Sequence, residues 1–122
     1  MSDSDTTVSQ LRQLVNDFVE HRDWHQFHAP KNLAMSMAIE AAELMEHFQW
    51  LSIEQSRAIA QQPEQLEAVG EELADVLCYA LAMANELQLD LSTTIRRKMQ
   101  KNERKYPADE YRGRYGPKDV GL

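Results

Sequence analysis

Two pairs of acidic residues are the strongest chemical signal in the sequence. Glu40 and Glu43 are three positions apart, and Glu72 and Asp75 repeat this spacing roughly thirty residues later. In a helix, side chains three positions apart share one face, with Cβ atoms about 5–6 Å from each other. If two such helices pack with these faces together, four carboxylates converge at one place.

Four converging carboxylates require protons or cations between them. Two negative charges ~5 Å apart repel by about 3 kcal/mol at an effective dielectric constant of ~20. Hard divalent cations with oxygen ligands, Mg²⁺ above all, remove that repulsion. Asp75 lies in ELADVLCYALAMA, which is apolar on every side from Leu73 onward, and an unpaired carboxylate there is costly. The two pairs therefore predict a divalent-metal site.

The same spacing has two other interpretations. E-x-x-E also occurs on solvated helix faces, and Glu64, Glu67 and Glu71 are predicted to form such a face. Helical di-iron sites use Glu-x-x-His pairs. Here His47 lies four residues after Glu43, and the helix with the second acidic pair contains no histidine. The pattern favours Mg²⁺ over iron.

Aromatic residues follow both acidic pairs. Trp50 lies seven residues after Glu43, two turns along nearly the same face, and Tyr79 lies one turn beyond Asp75. Stacking of a base on such rings is worth roughly 1–3 kcal/mol, although core packing is the alternative for any one tryptophan. This arrangement suits a nucleotide, with its base on the rings and its phosphates at the metal.

A basic face on the last predicted helix supplies candidate phosphate ligands. Its residues are Lys98, Lys101, Asn102 and Lys105. Their ammonium and amide groups can donate hydrogen bonds to phosphate oxygens, and a solvated basic face is the alternative.

Helices are predicted to position all of these residues. Glycine and proline are few and alternating strand patterns are scarce, which favours an all-α class. The predicted helices run from a cap at Thr6 or Thr7 to about Asp23, from Pro30 to about Leu51, from a capping box at Ser52 to about Gln61, from Pro63 to about Leu87, and from a cap at Asp90 or Ser92 to about Lys105. The segment Trp24–Asn32 is predicted to be an ordered loop.

The expected architecture is a helical bundle of four principal helices. Two of these helices are apolar over more surface than a lone small bundle can cover, so we expect a homotetramer, with a dimer as the next choice. Residues 1–106 are expected to form one domain. Residues 107–122 are polar and turn-forming, and we expect them to be a flexible C-terminal tail.

The distribution of charge, the lack of long apolar runs and the single cysteine limit which binding partners and which compartment we expect. Residues 1–95 hold 4 basic and 16 acidic residues, whereas residues 96–122 hold 9 and 4. The acidic body argues against binding of long nucleic acid and suits a small anionic ligand held through a metal. We expect no membrane partner, because no apolar run reaches membrane-spanning length and the beginning lacks the layout of a signal peptide. The single Cys78 fits a reducing cytoplasm.

These residues resemble a known family. The acidic motifs are similar to those of the all-α MazG-type nucleoside triphosphate pyrophosphohydrolases, and the resemblance spans about Leu11 to Pro107. Within this family, the dCTP pyrophosphatase branch is the one that four stretches of the sequence resemble. These stretches are RDWHQFHAPKNL, EAAELMEHFQW, EELADVLCYAL and KMQKNERKYP. The sequence departs from the family at Ile39, where many members have a further Glu.

The resemblance implies hydrolysis of a deoxynucleoside triphosphate, dCTP and its 5-modified forms foremost, to the monophosphate and pyrophosphate. It implies Mg²⁺, with Mn²⁺ as an alternative ion, and makes Glu40, Glu43, Glu72 and Asp75 the metal ligands and catalytic residues. It also implies a base and sugar pocket shaped by Trp24, His28, Trp50 and Tyr79. The family assembles as dimers or dimer-paired tetramers, with sites built where subunits meet.

Three questions stay open in the sequence. A pyrophosphatase for dUTP or another non-standard nucleotide would carry the same acidic motifs. A non-enzymatic helical interaction protein would only expose them to solvent. The proton acceptor is one of the four acidic residues, Glu46 or Glu71.

Overall fold

The computed structural model describes residues 1–115 of the chain. Its elements are α1 Val8–His21, a 3-10 turn His25–Phe27, α2 Pro30–Glu46, α3 Ile53–Ala58, a 3-10 turn Ile59–Gln61, α4 Pro63–Leu87, α5 Leu91–Lys105 and α6 Ala108–Tyr111. Within residues 1–115 there is no β-strand, which confirms the predicted all-α class. Among these same residues, no helix is both long enough and apolar enough to cross a bilayer.

Local sequence sets where the helices begin. Thr7 and Ser52 form the capping boxes that open α1 and α3. Pro30 and Pro63 occupy the first turns of α2 and α4, where a missing N–H leaves no helical hydrogen bond unmade. Asp90 caps α5 by accepting a hydrogen bond from the backbone of its first turn. The predicted helix starts are confirmed.

The predicted end of α2 at about Leu51 is wrong, because the helix ends at Glu46. Beyond that point several backbone hydrogen bonds reach back only three residues, as from Phe48 N–H to the carbonyl of Met45 at 2.9 Å. The chain must leave the helical conformation here because Ser52, at φ −70° and ψ 167°, caps the next helix in an extended conformation.

The link between α1 and α2 also differs from the prediction. Helix α1 ends at His21 rather than at about Asp23, and Asp23 has a positive φ of 52° that turns the chain away from the helix. The 3-10 turn His25–Phe27 then gives regular structure to part of the predicted loop. This link carries Trp24, which the sequence assigned to a nucleotide pocket.

The chain divides into two compact units, Met1–Gln88 and Leu89–Leu122, and the second is described as far as residue 115. In the first unit α4 packs against both α1 and α2. The buried apolar residues are Val19, Leu33, Ile59, Ala82 and Ala84. The centre of this unit therefore lies along α4.

A part-buried polar contact holds α1 against α4. Arg12 Nε donates to Asn85 Oδ1 at 3.0 Å, and Arg12 Nη2 donates to the carbonyl of Ala84 at 3.1 Å. Asn85 Nδ2 donates in return to the carbonyl of Arg12 at 3.1 Å. Because part-buried donors and acceptors are costly to leave unpaired, this reciprocal set fixes the register of the two helices.

Large apolar side chains lie exposed on both central helices of the first unit. Met35, Ile39 and Met45 are exposed on α2, and Leu73 and Leu77 are exposed on α4. Exposed large apolar side chains, where they adjoin, are typical of interaction sites. A single chain thus leaves exposed part of the apolar surface of the two helices that the sequence indicated a lone bundle cannot cover.

The second unit contains α5 and α6. The rings of Tyr106 and Tyr111 meet edge to face, with centroids 5.3 Å apart, which places α6 against the end of α5. Helix α6 falls within the predicted tail of residues 107–122. Residues 116–122 of that tail lie outside the described residues, and the predicted domain boundary stays a prediction.

Candidate active site

Three of the four predicted metal ligands converge between α2 and α4. Glu40, Glu43 and Glu72 each offer one carboxylate oxygen, and these oxygens all lie within 4.8 Å of one another. We call these three residues the acidic cluster. Its members come from two helices because the three-residue spacing on α2 aims both glutamates at the neighbouring face of α4.

Two carboxyl groups of the acidic cluster, those of Glu40 and Glu72, have raised pKa values. The pKa of Glu40 is raised from 4.5 to about 7, first by its hydrogen bond with Glu43, then by desolvation and by the charges of Glu43, Asp75 and Glu72. The pKa of Glu72 is also raised, mainly by desolvation and then by the charge of Glu43. Without a cation, the carboxyl of Glu40 therefore keeps its proton to a higher pH than an ordinary glutamate does.

The cluster fits an oxygen-ligated divalent cation. Glu40 Oε2 and Glu72 Oε2 are buried and have no hydrogen-bond partner among residues 1–115. Buried carboxylate oxygens normally accept hydrogen bonds or coordinate metal. Since several carboxylate oxygens within one coordination sphere are the ligands that Mg²⁺ and Mn²⁺ prefer, the donor set suits either ion.

Asp75 lies beside the acidic cluster rather than within it. Its side chain is exposed, yet its charge contributes to the raised pKa values of both Glu40 and Glu72. It also lines a neighbouring cavity together with Glu40. Asp75 therefore marks the border between the carboxylates and the cavity.

An apolar cavity of about 490 Å³ opens next to the acidic cluster. We call it the aromatic cavity. It is lined by Leu14, Val15, Phe18, Val19, Trp24, His28, Glu40, Asp75, Cys78, Tyr79 and Ala82. Its volume falls in the range of pockets for small ligands, and its charged groups are confined to the two carboxylates. The site thus joins an apolar compartment to an anionic one.

Ring contacts build one wall of the aromatic cavity. Phe18 and Trp24 meet edge to face with centroids 5.7 Å apart, and Trp24 and His28 are tilted by 34° at 6.4 Å. The guanidinium of Arg22 lies 3.7 Å from the centroid of the Phe18 ring. Such contacts restrict ring motion, so the wall presents preformed flat surfaces.

The segment between α1 and α2, in which Trp24 and His28 flank the 3-10 turn, is anchored to α1 and α4. Trp24 N–H donates to the carbonyl of Val19 at 3.0 Å. His25 Nδ1 lies 2.6 Å from Glu86 Oε1 on α4. The link is therefore tied at one end to α1 and at its centre to α4.

The other predicted site residues are Trp50 and the four residues of the basic face. Trp50 is 87% exposed and does not line the aromatic cavity, because α2 ends before it. The basic face belongs to the second unit, where Lys98, Lys101 and Lys105 are exposed and Asn102 is half-buried. The roles predicted for these residues stay predictions.

The sequence did not single out several residues of the aromatic cavity. Leu14, Val15 and Phe18 follow the apolar period of α1, which does not distinguish a cavity wall from a packed core. Cys78 could have been found, since it stands three residues after Asp75 and shares its helix face. Its thiol pKa is raised by desolvation and by the charge of Asp75.

Comparison with known proteins gives three kinds of match. The model of the MazG-like family matches residues 35–115. A dCTP pyrophosphatase 1 of Bos taurus is 39% identical over 110 residues, which cover 90% of this chain and 65% of that protein. The protein of the same name from Rattus norvegicus is 40% identical over 107 residues, which cover 88% and 63%.

The chain thus spans slightly less than two thirds of the length of these mammalian relatives. A similar solved structure is that of a pyrophosphatase from Archaeoglobus fulgidus, with 38% identity and a TM-score of 0.73. That match covers 88% of this chain and 98% of the archaeal one. Similarity therefore extends along the described helices as well as through the motifs.

Proposed function

Because the chain belongs to the MazG-like family, we propose that it hydrolyses a deoxynucleoside triphosphate to the monophosphate and pyrophosphate with Mg²⁺ as cofactor. The observation that carries this proposal is the placement of three carboxylates within 4.8 Å of one another, beside a cavity walled by aromatic rings. One compartment suits metal-bound phosphates and the other suits a base. The names of the mammalian and archaeal relatives support the same reaction.

The acidic cluster, together with Asp75 beside it, would hold the cation. Glu40 and Glu72 would contribute the buried Oε2 atoms that lack partners in the described part of the chain, and Glu43 would contribute an exposed carboxylate oxygen. A cation bound there supplies positive charge to the triphosphate and lowers the pKa of coordinated water. Mn²⁺ has the same ligand preference and is the expected substitute.

One of the chain's own carboxylates would accept the proton of the attacking water. The pKa of Glu40 is raised to about 7 in the absence of a cation, so a bound cation would favour loss of its proton and leave a carboxylate able to act as a base. Asp75 is exposed beside the cluster and is a second candidate. Glu46 and Glu71, which are also exposed, remain the other candidates.

The aromatic cavity would hold the base and sugar. Trp24 and Tyr79 offer the flat surfaces on which a base stacks, each worth roughly 1–3 kcal/mol. Glu40 and Asp75 line the same cavity, so a nucleotide seated there reaches the acidic cluster with its phosphates. Relatives named for dCTP support cytosine as the base, and an apolar wall suits 5-modified cytosines as well.

We propose further that the chain works as a homo-oligomer, a tetramer first and a dimer next. The exposed apolar side chains of α2 and α4, among them Ile39 at 58% and Leu77 at 54%, support this. An obligate interface buries on the order of 2,000 Å² or more. Association of copies through these helices would bury surface that one chain leaves in water.

Two other functions deserve comparison with this one. Preference for dUTP or another non-standard nucleotide would use the same acidic cluster and differ only at the base. A non-enzymatic interaction protein would not need carboxylate oxygens buried without partners, as Glu40 Oε2 and Glu72 Oε2 are within residues 1–115. That observation favours a metal-dependent enzyme.

The experiment that tests the proposed function identifies the products from dCTP. With Mg²⁺, phosphorus NMR should detect dCMP and pyrophosphate in equal amounts, and EDTA should stop their formation. Release of dCDP and orthophosphate would contradict the proposal, as would no turnover of any deoxynucleoside triphosphate. Parallel assays with dUTP, dTTP, dATP and 5-methyl-dCTP separate the dCTP assignment from its alternatives.

A further inference from the structure

A buried ring nitrogen of the aromatic cavity has no hydrogen-bond partner in the described part of the chain. His28 lines the cavity, and its Nδ1 atom is buried without a hydrogen-bond partner among residues 1–115. Glu40 and Asp75 line the same cavity, but the proposed function assigns their carboxylates to the cation. The His28 nitrogen is therefore among the lining groups left to exchange a hydrogen bond with a base. Buried polar atoms are nearly always paired, so an unpaired one inside a cavity indicates a ligand atom.

The imidazole of His28 is held in place by its surroundings. The backbone N–H of His28 donates to the carbonyl of His25 at 3.1 Å, and His25 is itself bound to Glu86 on α4 at 2.6 Å. The ring of Trp24 lies alongside, with centroids 6.4 Å apart. The nitrogen is therefore preorganised beside a surface on which a base can stack.

We propose that His28 Nδ1 reads the hydrogen-bonding edge of the base, an inference that rests on the proposed function. Cytosine presents an exocyclic amine at the position where uracil presents a carbonyl oxygen. In a neutral imidazole one ring nitrogen donates and the other accepts. Selection of dCTP therefore requires Nδ1 to accept from the cytosine amine, with the ring proton on Nε2.

This assignment explains how an otherwise apolar cavity distinguishes two bases of nearly equal shape. Apolar walls discriminate weakly between isosteric rings, whereas a buried polar partner can reject the wrong one by orders of magnitude. With uracil bound, the carbonyl oxygen would face the acceptor Nδ1 and both atoms would remain unpaired. His28 is thus the specificity-determining residue of the cavity.

The test compares dCTP with dUTP in two variants of this residue. His28→Leu removes the nitrogen, and its ratio of kcat/KM for dCTP over dUTP should fall about 10- to 100-fold. His28→Asn places an amide oxygen close to the Nδ1 position and should retain most of the ratio. His21→Leu, at the exposed end of α1, is the matched control and should leave the ratio unchanged.

Binding of dCMP and dUMP to the same proteins, measured by calorimetry, gives a readout that does not need hydrolysis. An unchanged dCTP to dUTP ratio in His28→Leu, or equal losses on both substrates, would overturn the role of His28 while the proposed reaction stands. Selective loss of dCMP affinity in His28→Leu, without pyrophosphate release by the unaltered protein, would overturn only the proposed reaction.

Discussion

Among the single residues of the site, Glu40 has the pKa that indicates most clearly how the acidic cluster would bind a cation. Its carboxyl has a pKa of about 7, raised first by the hydrogen bond with Glu43. A carboxyl in this state keeps a proton that a divalent cation can replace. Proton release and cation uptake at the acidic cluster are therefore linked.

This linkage predicts how stability depends on pH. Because the pKa of Glu40 is about 7 in the folded protein and 4.5 as its ordinary value, the folded state binds more protons between these pH values. The free energy of unfolding should therefore fall as pH rises from about 4.5 through about 7 in EDTA. Mg²⁺ should remove much of this loss, since the cation takes the place of the proton.

Melting temperatures across this pH range, with EDTA or Mg²⁺, measure the effect. Glu40→Gln should flatten the decline in EDTA and melt higher than the unaltered protein at pH 8. Glu67→Gln, an exposed change on α4, serves as the control and should leave the slope unchanged. Equal slopes in Glu40→Gln and the unaltered protein would contradict the raised pKa of Glu40.

At the scale of elements, the packing of α1, α2 and α4 decides whether the site exists. Helix α2 supplies two carboxylates, α4 supplies Glu72 and Tyr79, and α1 supplies the apolar wall of the aromatic cavity. The position of α1 depends on the reciprocal hydrogen bonds of Arg12 and Asn85. A change in this contact should therefore affect both stability and the cavity.

Asn85→Ala is predicted to destabilise the protein by about 1–3 kcal/mol, because it leaves part-buried donors and acceptors unpaired. Urea unfolding measures this change. Gln13→Ala, at an exposed position of α1, should cost less than about 0.5 kcal/mol. Equal stability of the Asn85 and Gln13 variants would show that the contact does not fix the two helices.

The acidic pairs and Trp50 show which parts of the site the sequence could predict and which it could not. The three-residue spacing placed Glu40 and Glu43 on one face of α2, because helical geometry determines which side chains share a face. Their meeting with Glu72 depended in addition on the packing of α2 against α4. The position of Trp50 depended on where α2 ends. The cap at Ser52 ended it earlier than the apolar pattern indicated.

His28 shows what spacing could not supply. The link between α1 and α2 has no long helical period, so spacing alone did not place its imidazole. The family resemblance assigned His28 to the base and sugar pocket, and the structure adds that it lines a cavity with a buried nitrogen. The cavity arises only when this link, α1 and α4 pack together. Its apolar residues read in the sequence as ordinary core positions.

At the scale of the whole molecule, the exposed apolar surface is large for a 14.1 kDa chain. The predicted homo-oligomer is the simplest arrangement that removes this surface from water. Acidic residues dominate positions 1–95 and basic residues dominate positions 96–122, so charge as well as apolar area is unevenly distributed along the chain.

Light scattering at micromolar concentration should give a mass of about four chains, or of two, rather than 14.1 kDa. Leu77→Asp would place a carboxylate on the exposed apolar face of α4 and should shift the mass toward that of one chain, because burial of an unpaired charge opposes association. A monomer in the unaltered protein would contradict the predicted assembly.

The most direct test of the acidic cluster as a metal-dependent catalytic centre is the rate of pyrophosphate release from dCTP as a function of Mg²⁺. The unaltered protein should show a saturable dependence on Mg²⁺ that EDTA abolishes. Glu72→Gln should lower kcat/KM by about 100-fold or more, whereas Glu67→Gln on the same helix should stay within about twofold. Undiminished release in EDTA, or a Glu72→Gln variant as active as the unaltered protein, would contradict the account.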